Sequence, residues 1–314
     1  MNTVDLFCGC GGLSLGFQNA GYDILAAFDN WEEAIDIYGR NFDHPIYKQD
    51  LTDVETTSEL VANLHPDIII GGPPCQDFSS AGTRDEDNGR GILTVCYANI
   101  VSNVHPEWFV MENVEQIVGT NKLERARQIY TDAGYGLTQV ILDASLCGVP
   151  QKRKRFFLIG KLGEEDDFLT NHLMAHIADH PMTVRDYVGD DWGIDYYYRH
   201  PRSYARRGVF SIDEPSPTVR GVNRPIPNGY HLHPGDPVDN LEGIRCLTTR
   251  ERSIIQTFPP NYILEGTKTN LEQMIGNAVP VNLATFVGNA ILEYTIAPNR
   301  YIRQRLPQQL ELFV

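Results

Sequence analysis

The chain has 314 residues, 42% of them hydrophobic and 21% charged, which is ordinary globular composition and enough for one large domain with a smaller companion. No apolar run reaches bilayer length, Met1 to Asp5 lacks the basic start of a secretory leader, and the six cysteines do not read as a disulfide framework. A reduced cytoplasm is the expected compartment. The formal net charge of −15 taken alone argues against a nucleic-acid partner. Its distribution does not, because residues 145–161 and 196–212 carry Lys and Arg with no acid at all.

In chain order, Val4 to Cys8 predicts a strand, Gly9-Cys10-Gly11-Gly12 a tight turn, and Leu13 to Ala20 the helix that the turn opens. Such a turn lets a ligand approach the backbone, and the helix N-terminus favours an anionic group. It is equally able to be a purely structural turn. Ser14 stands where the third glycine of a dinucleotide fingerprint would be. A second strand, Ile24 to Phe28, ends at Asp29, which can accept from the ribose of an adenosine-containing cofactor or cap the helix that follows. Asp50, after a short strand near Pro45 to Lys48, can accept from an adenine amino group or cap a turn.

The apolar β-branched run Asp67 to Ile70 predicts a buried strand, stopped by Gly71-Gly72-Pro73-Pro74. Cys75 then stands in a rigid loop at the strand's carboxyl end, the edge where open α/β sheets bind ligands. It is a candidate nucleophile or a structural thiol. Phe78 to Arg90 is polar and without periodicity, as expected of a loop covering a site. Trp108 to Met111 is the next strand, and it brings Glu112 to the same sheet edge, where a carboxylic acid can be tuned to carry a proton. In Gln151-Lys152-Arg153-Lys154-Arg155, alternation would put Gln151, Arg153 and Arg155 on one side. That side could hold phosphates or a polar base edge, or be a solvated basic rim.

Beyond Gly163 the text changes. His172, His176 and His180 could share a helix face and bind a metal, but no Cys or acid completes a ligand set, and no metal is expected. Residues 181–240 mix Pro, Gly, Arg and Tyr with little periodicity, as in a loop-dominated domain suited to nucleic-acid contact. Leu283 to Tyr294 carries a core-facing helical stripe, preceded by the helix entry Gly276 to Pro280.

Taken together, these blocks resemble the DNA cytosine-5 methyltransferases, in particular the compact bacterial modification enzymes. The similarity rests on Asp5 to Gly12, Gly72-Pro73-Pro74-Cys75-Gln76, Arg90 to Leu93, Glu112-Asn113-Val114, Gln151 to Arg155, Arg245 to Glu251 with Gln256 to Pro259, and Gly276 to Pro280, all in the family's order. The resemblance implies a Rossmann-like α/β domain with a mostly parallel sheet in residues 1–180, a small target-recognition domain in 181–271, and a segment at 272–314 returning to complete the first domain. It implies S-adenosyl-L-methionine as cofactor, held by Asp5, Phe7, Gly9, Gly11, Gly12, Asp29, Asn30, Asp50, Leu51, Pro73, Asn277 and Ala278. Cys75 would be the nucleophile, Glu112 its acid partner, Arg155 a clamp on the base carbonyl, and Arg153 a support for the site or its phosphates. Gln76, Ser79, Gln151, Thr218, Arg220 and Arg224 would contact double-stranded DNA, Arg220 and Arg224 at base edges. Three departures stand out: Cys10 between the glycines, Asn30 where an adenine-packing side chain is usual, and the tail after Pro298. A monomer, without membrane contact, is expected; a cognate restriction endonuclease acting on the same DNA site without stable contact is compatible with the resemblance, and the sequence does not decide whether one exists. The rival readings are a tRNA cytosine methyltransferase of the same fold, a nicotinamide-dependent oxidoreductase and a non-catalytic DNA-binding relative. The recognised sequence cannot be read from these residues, since it depends on loop geometry and DNA deformation.

Overall fold

The computed structural model describes residues 1–74, 92–203 and 205–301. The elements in chain order are β1 Asn2–Leu6, α1 Gly12–Asn19, β2 Asp23–Asp29, α2 Glu32–Gly39, β3 Ile46–Lys48, α3 Val54–Ala62, β4 Ile68–Gly71, α4 Ile92–Val104, β5 Trp108–Asn113, α5 Asn121–Asp132 and β6 Tyr135–Asp143. They continue with β7 Gln151–Lys152, β8 Lys154–Leu162, α6 Thr170–Met174, α7 Val184–Val188, β9 Tyr196–Tyr198, β10 Val209–Ser211, β11 Ser216–Pro217, α8 Thr249–Ile255, α9 Lys268–Asn277 and α10 Val281–Ile296.

Seven strands form one sheet in the order β3-β2-β1-β4-β5-β8-β6. The pairings among β1 to β5 are parallel, whereas β8 runs antiparallel to both β5 and β6. All residues of β4 and β5 are buried, as unbroken apolar strands covered on both faces must be. One face packs Phe17 of α1 with Leu283, Val287 and Ile291 of α10. The other packs Val61, Tyr97, Ile100, Leu123 and Tyr130 of α3, α4 and α5. The result is the mostly parallel, three-layer α/β architecture expected. Its strand order reverses between β1 and β4, which opens a crevice at the carboxyl ends of those strands.

A smaller cluster made of Val184, Tyr197, Phe210, Ile212, Val219, Leu247, Ile255 and Ile275 gathers the segment beyond α6. Phe258 and Tyr262 pack instead with Cys8, Cys10, Tyr38 and Phe42, beside the glycine turn. The chain therefore rejoins the larger core well before residue 271.

Two expectations fail here. α6 ends at Met174, so His176 and His180 share no helix face with His172. His172 is buried against the Ala297 carbonyl and His176 meets Glu293, and among the described residues no cluster could hold a metal. Second, Lys268–Ile296 is long and apolar enough to cross a membrane by length and composition, although no such run was expected. Its apolarity is that of a core helix: α10 buries Leu283, Ala284, Val287 and Ile291 against the sheet.

Candidate active site

A cavity of about 650 Å³ occupies the crevice. Its walls come from the carboxyl ends of successive strands: Phe7 to Cys10 after β1, Asp29 to Trp31 after β2, Leu51 after β3, Gly72 to Pro74 after β4, and Glu112 to Val114 after β5. Gly276 to Val279 closes it from the far end of the chain, and Arg155 from β8. The volume suits a nucleoside-sized ligand.

The glycine turn folds as expected for close backbone approach. Gly9 and Gly11 take φ of +54° and +87°, and Phe7 sits at +60°, a left-handed conformation that a bulky side chain adopts only where its surroundings insist. Asp29 braces this turn: one carboxylate oxygen accepts from Gly9 N at 2.8 Å, the other from Asn30 N and Trp31 N. The carboxylate stays at the cavity wall with lone pairs to spare, and Trp31 and Phe7 line the same cavity.

Phe7, Gly9, Gly12, Asp29, Asn30, Leu51, Pro73, Asn277 and Ala278 thus all line the cavity. Three predicted cofactor residues do not. Asp5 is wholly buried behind the turn, where Ser14 Oγ donates to it at 2.5 Å and Tyr38 Oη donates in turn to Ser14 at 2.7 Å. Burial raises its carboxyl to about 8. Gly11 turns inward, where an added Cβ would lie 2.4 Å from the Phe42 ring. Asp50 is exposed, and its carboxylate caps a turn by accepting from Thr52 N and Oγ1, bonds that hold it below the usual carboxylate range.

At the opposite end of the cavity Glu112 and Arg155 meet, Arg155 Nε 2.9 Å from Glu112 Oε1. The antiparallel register explains how. Glu112 and Asn113 pair with Phe157 and Phe156, so the start of β8 reaches the carboxyl end of β5 and delivers Arg155 beyond it. Glu112 is 7% exposed; burial pushes its carboxyl above the ordinary value, against the pull of Arg155 and Arg153. Gly72 admits this carboxylate closely, since a Cβ there would stand 3.1 Å from Glu112 Oε2. Asn113 Nδ2 donates to the Pro73 carbonyl at 3.0 Å and ties the proline loop to β5. Cys75, Gln76, Ser79 and the loop 78–90 lie outside the described residues; the chain is described as far as Pro74, at the cavity wall.

The alternation from Gln151 to Arg155 holds, with Gln151 and Arg153 buried and Lys152 and Lys154 exposed, but the buried side faces the protein interior. Gln151 bonds Gln256 at 2.7 Å and accepts from Val219 N at 2.7 Å, so it is not a DNA contact. Arg153, 1% exposed, donates to the carbonyls of Val219, Gly276 and Ala278, each at 3.0 Å. It supports the cavity wall from behind and is closed to a phosphate. Thr218 donates to the Lys152 carbonyl, which pins the small lobe to β7. Arg220 gives Nη2 to the His200 carbonyl and is held inside the small lobe, whereas Arg224 is exposed.

Several cavity residues escaped the sequence reading. Asn113 stood beside Glu112 as an amide at a strand end, a usable signal. Met274 had only core periodicity to offer, Cys8 and Val279 lay inside recognised motifs without a role, and Trp31 was, with Phe7, a candidate to pack the adenine and does line the cavity; Ser14, behind the turn, looked like a missing glycine although its hydroxyl is the partner of Asp5.

The sequence profile described as "C-5 cytosine-specific DNA methylase" matches residues 1–293. The chain is 60% identical to the Type II methyltransferase M.HindV of Haemophilus influenzae over 96% of its length and 99% of that protein's. It is 52% identical to the Type II methyltransferase M.HgiDI of Herpetosiphon aurantiacus over 98% of its length and 99% of that protein's. The solved structure of the S. pombe Dnmt2 methyltransferase superposes with a TM-score of 0.70 at 18% identity, covering 94% of this chain and 99% of that one, a likeness of fold. The glycine turn, the Glu112–Arg155 pair and the closing Gly276 to Val279 segment all lie within the matched residues, and the chain belongs to the C-5 cytosine-specific DNA methylases.

Proposed function

We propose that this DNA cytosine-5 methyltransferase uses S-adenosyl-L-methionine to methylate a flipped-out cytosine in a short duplex site through a covalent adduct at Cys75. The observation that carries the reading is the buried Glu112 carboxyl, raised above its ordinary value and paired with Arg155, on the cavity wall that the chain's Gly72–Pro74 loop shares just before Cys75. The residues also suit the cofactor: Asp29 offers acceptors to a ribose, Phe7, Trp31 and Leu51 offer apolar walls to an adenine, and α1 turns its N-terminus toward the cavity for a carboxylate.

Bound there, S-adenosylmethionine supplies an electrophilic methyl group. The chain's residues make carbon 5 of the cytosine able to accept it. The Cys75 thiolate forms a bond to carbon 6 while Glu112 donates a proton or hydrogen bond at ring nitrogen 3, so that charge does not accumulate in the ring. Arg155 binds the base carbonyl and keeps Glu112 oriented. Arg153 and Asn113 hold the walls. After carbon 5 takes the methyl it loses its proton to water, the carbon–sulfur bond breaks to release the Cys75 thiolate, and any proton taken at ring nitrogen 3 returns to Glu112, leaving neutral 5-methylcytosine. The target carbon is unreachable in a stacked duplex, so the base must leave the helix. The small lobe around Tyr197, Phe210 and Val219 is the proposed target-recognition domain. Protection of host DNA in a restriction–modification system, alongside an endonuclease of the same site, is supported by the Type II methyltransferases it resembles.

Transfer of labelled methyl from S-adenosylmethionine to duplex DNA and to tRNA, followed by bisulfite sequencing of the host DNA, tests this reading. Label in DNA, at one cytosine of one short motif, is expected. Label in tRNA alone overturns it.

A further inference from the structure

The small lobe carries two stretches without a single acid, 196–212 and 215–235, in a chain whose net charge is −15. Several arginines of the lobe are neutralised: Arg185 by Asp190, Asp195 and Asp213, Arg207 by Glu214, Arg245 by Glu251 and Arg252 by Glu272. Among the described residues no carboxylate comes within ion-pair distance of Arg199, Arg202, Arg220 or Arg224. We propose that these four form a patch that grips the phosphate backbone of DNA beside the target cytosine and does not read base edges. The proposal rests on the DNA reading above and assigns its anchoring residues.

Two observations favour phosphate over base at Arg199 and Arg220. Arg199 and Arg220 are anchored inside the lobe, Arg199 Nη2 donating to the Thr218 carbonyl at 2.7 Å and Arg220 Nη2 to the His200 carbonyl, while Arg220 Nε is buried with no partner. A guanidinium held by its outer nitrogen cannot swing to present two parallel bonds to a guanine. The cavity beside them, lined by Tyr198, Arg199, His200, Arg220 and Arg252, is about 30 Å³, room for a water and far too little for a base. Arg202 and Arg224 are exposed, and near enough for their charges to act on Arg220.

The charges also crowd one another. Burial, then Arg202 and Arg224, draw the Arg220 guanidinium below its ordinary range; burial, then Arg220, draw Arg199 down to about 10. Like charges brought together without acids oppose one another until an anion arrives. A polyanionic backbone supplies it, and binding releases the counterions condensed on that backbone.

The position fits a phosphate next to the flipped nucleotide. The Arg220 backbone abuts Gly276, where an added Cβ would lie 2.4 Å from Arg220 C and 2.2 Å from Gly221 N. Gly276 itself lines the large cavity, so the patch stands one backbone layer from the active site.

Full-length R202Q, R224Q and the double variant test the assignment. Each changes an exposed side chain, and a thermal melt matching the wild type establishes folding. Binding is measured over a salt series on two duplexes, one with the site that bisulfite sequencing finds for the wild type and one without it. The patch predicts that affinity for both duplexes falls by the same factor. The slope of log affinity against log salt drops by about 0.9 for each arginine removed, and the methylated motif stays that of the wild type. Loss confined to the cognate duplex, or methylation of new motifs, overturns the proposal in favour of base reading. Unchanged affinity and salt slope overturn it by removing the patch from the DNA. Wild-type methyl transfer to DNA, measured alongside, keeps either failure distinct from failure of the methyltransferase reading.

Discussion

Three carboxyl groups near the crevice do three different jobs because their surroundings differ. Asp29 is fixed in its turn by three backbone N–H groups and lines the cavity. Glu112 is buried beside an arginine with its carboxyl raised above the ordinary value, as the proposed proton donor requires. Glu112→Gln keeps a donor of similar shape but no proton to give, and should lower kcat by about 10²- to 10⁴-fold, measured as single-turnover methyl transfer. In the wild type the rate should decline as pH rises through the raised Glu112 value, and the variant should lack that limb. Arg155→Met leaves Glu112 buried without its partner, at a cost of about 3–5 kcal/mol when the carboxyl is ionised. Urea unfolding at pH 8 should register this loss, and at pH 5, where the carboxyl can protonate, a smaller one.

The third carboxyl, Asp5, has no cavity to serve. With its value raised to about 8 in the fold and near 4 when unfolded, the native chain holds a proton between those limits that the unfolded chain has released. Stability contributed at this position is therefore full below pH 4 and declines as pH rises toward 8. Asp5→Asn should flatten that decline in Tm between pH 5 and 8. An equally steep decline in the variant would assign it to another group.

Among the elements, what was legible in the sequence is what local patterning dictates. Ile68 to Ile70 and Trp108 to Met111 are strands because unbroken apolar runs bury both faces, and α1, α2 and α10 follow their helical stripes. The site's framework was legible for the same reason: Gly9, Asp29, Pro73 and Glu112 each end a recognisable strand. What escaped is non-local. Gln151, Arg153 and Arg155 do alternate, yet the partners that turn Arg153 into a buried strut, Val219, Gly276 and Ala278, lie 66 to 125 residues away. The histidines at 172, 176 and 180 had helical spacing, but α6 is five residues long. The crossing of 220–221 over Gly276 is likewise invisible in sequence. Gly276→Ala puts a methyl into the backbone of Arg220 and Gly221 and should cost about 1–3 kcal/mol. It should also weaken S-adenosylmethionine binding by calorimetry, because the displaced wall belongs to the cavity.

For the whole molecule, net charge proved a poor guide to partner. The acidic sum and the acid-free arginine stretches coexist because charge is segregated, and a polyanion responds to the local face within a Debye length of about 10 Å. The larger lobe builds the chemical site at the switch point of its sheet, and the smaller lobe is threaded onto it through Gln151, Arg153 and Gln256. In the proposed reaction this assembly attacks cytosine through Cys75. The most direct measurement of that attack is covalent trapping on a duplex carrying 5-fluorocytosine at the methylated position, with S-adenosylmethionine present, since fluorine blocks the proton loss needed for release. The wild type should form a denaturation-resistant complex, and Cys75→Ser should form none while still binding the cofactor. A complex of equal yield in the serine variant would contradict the account.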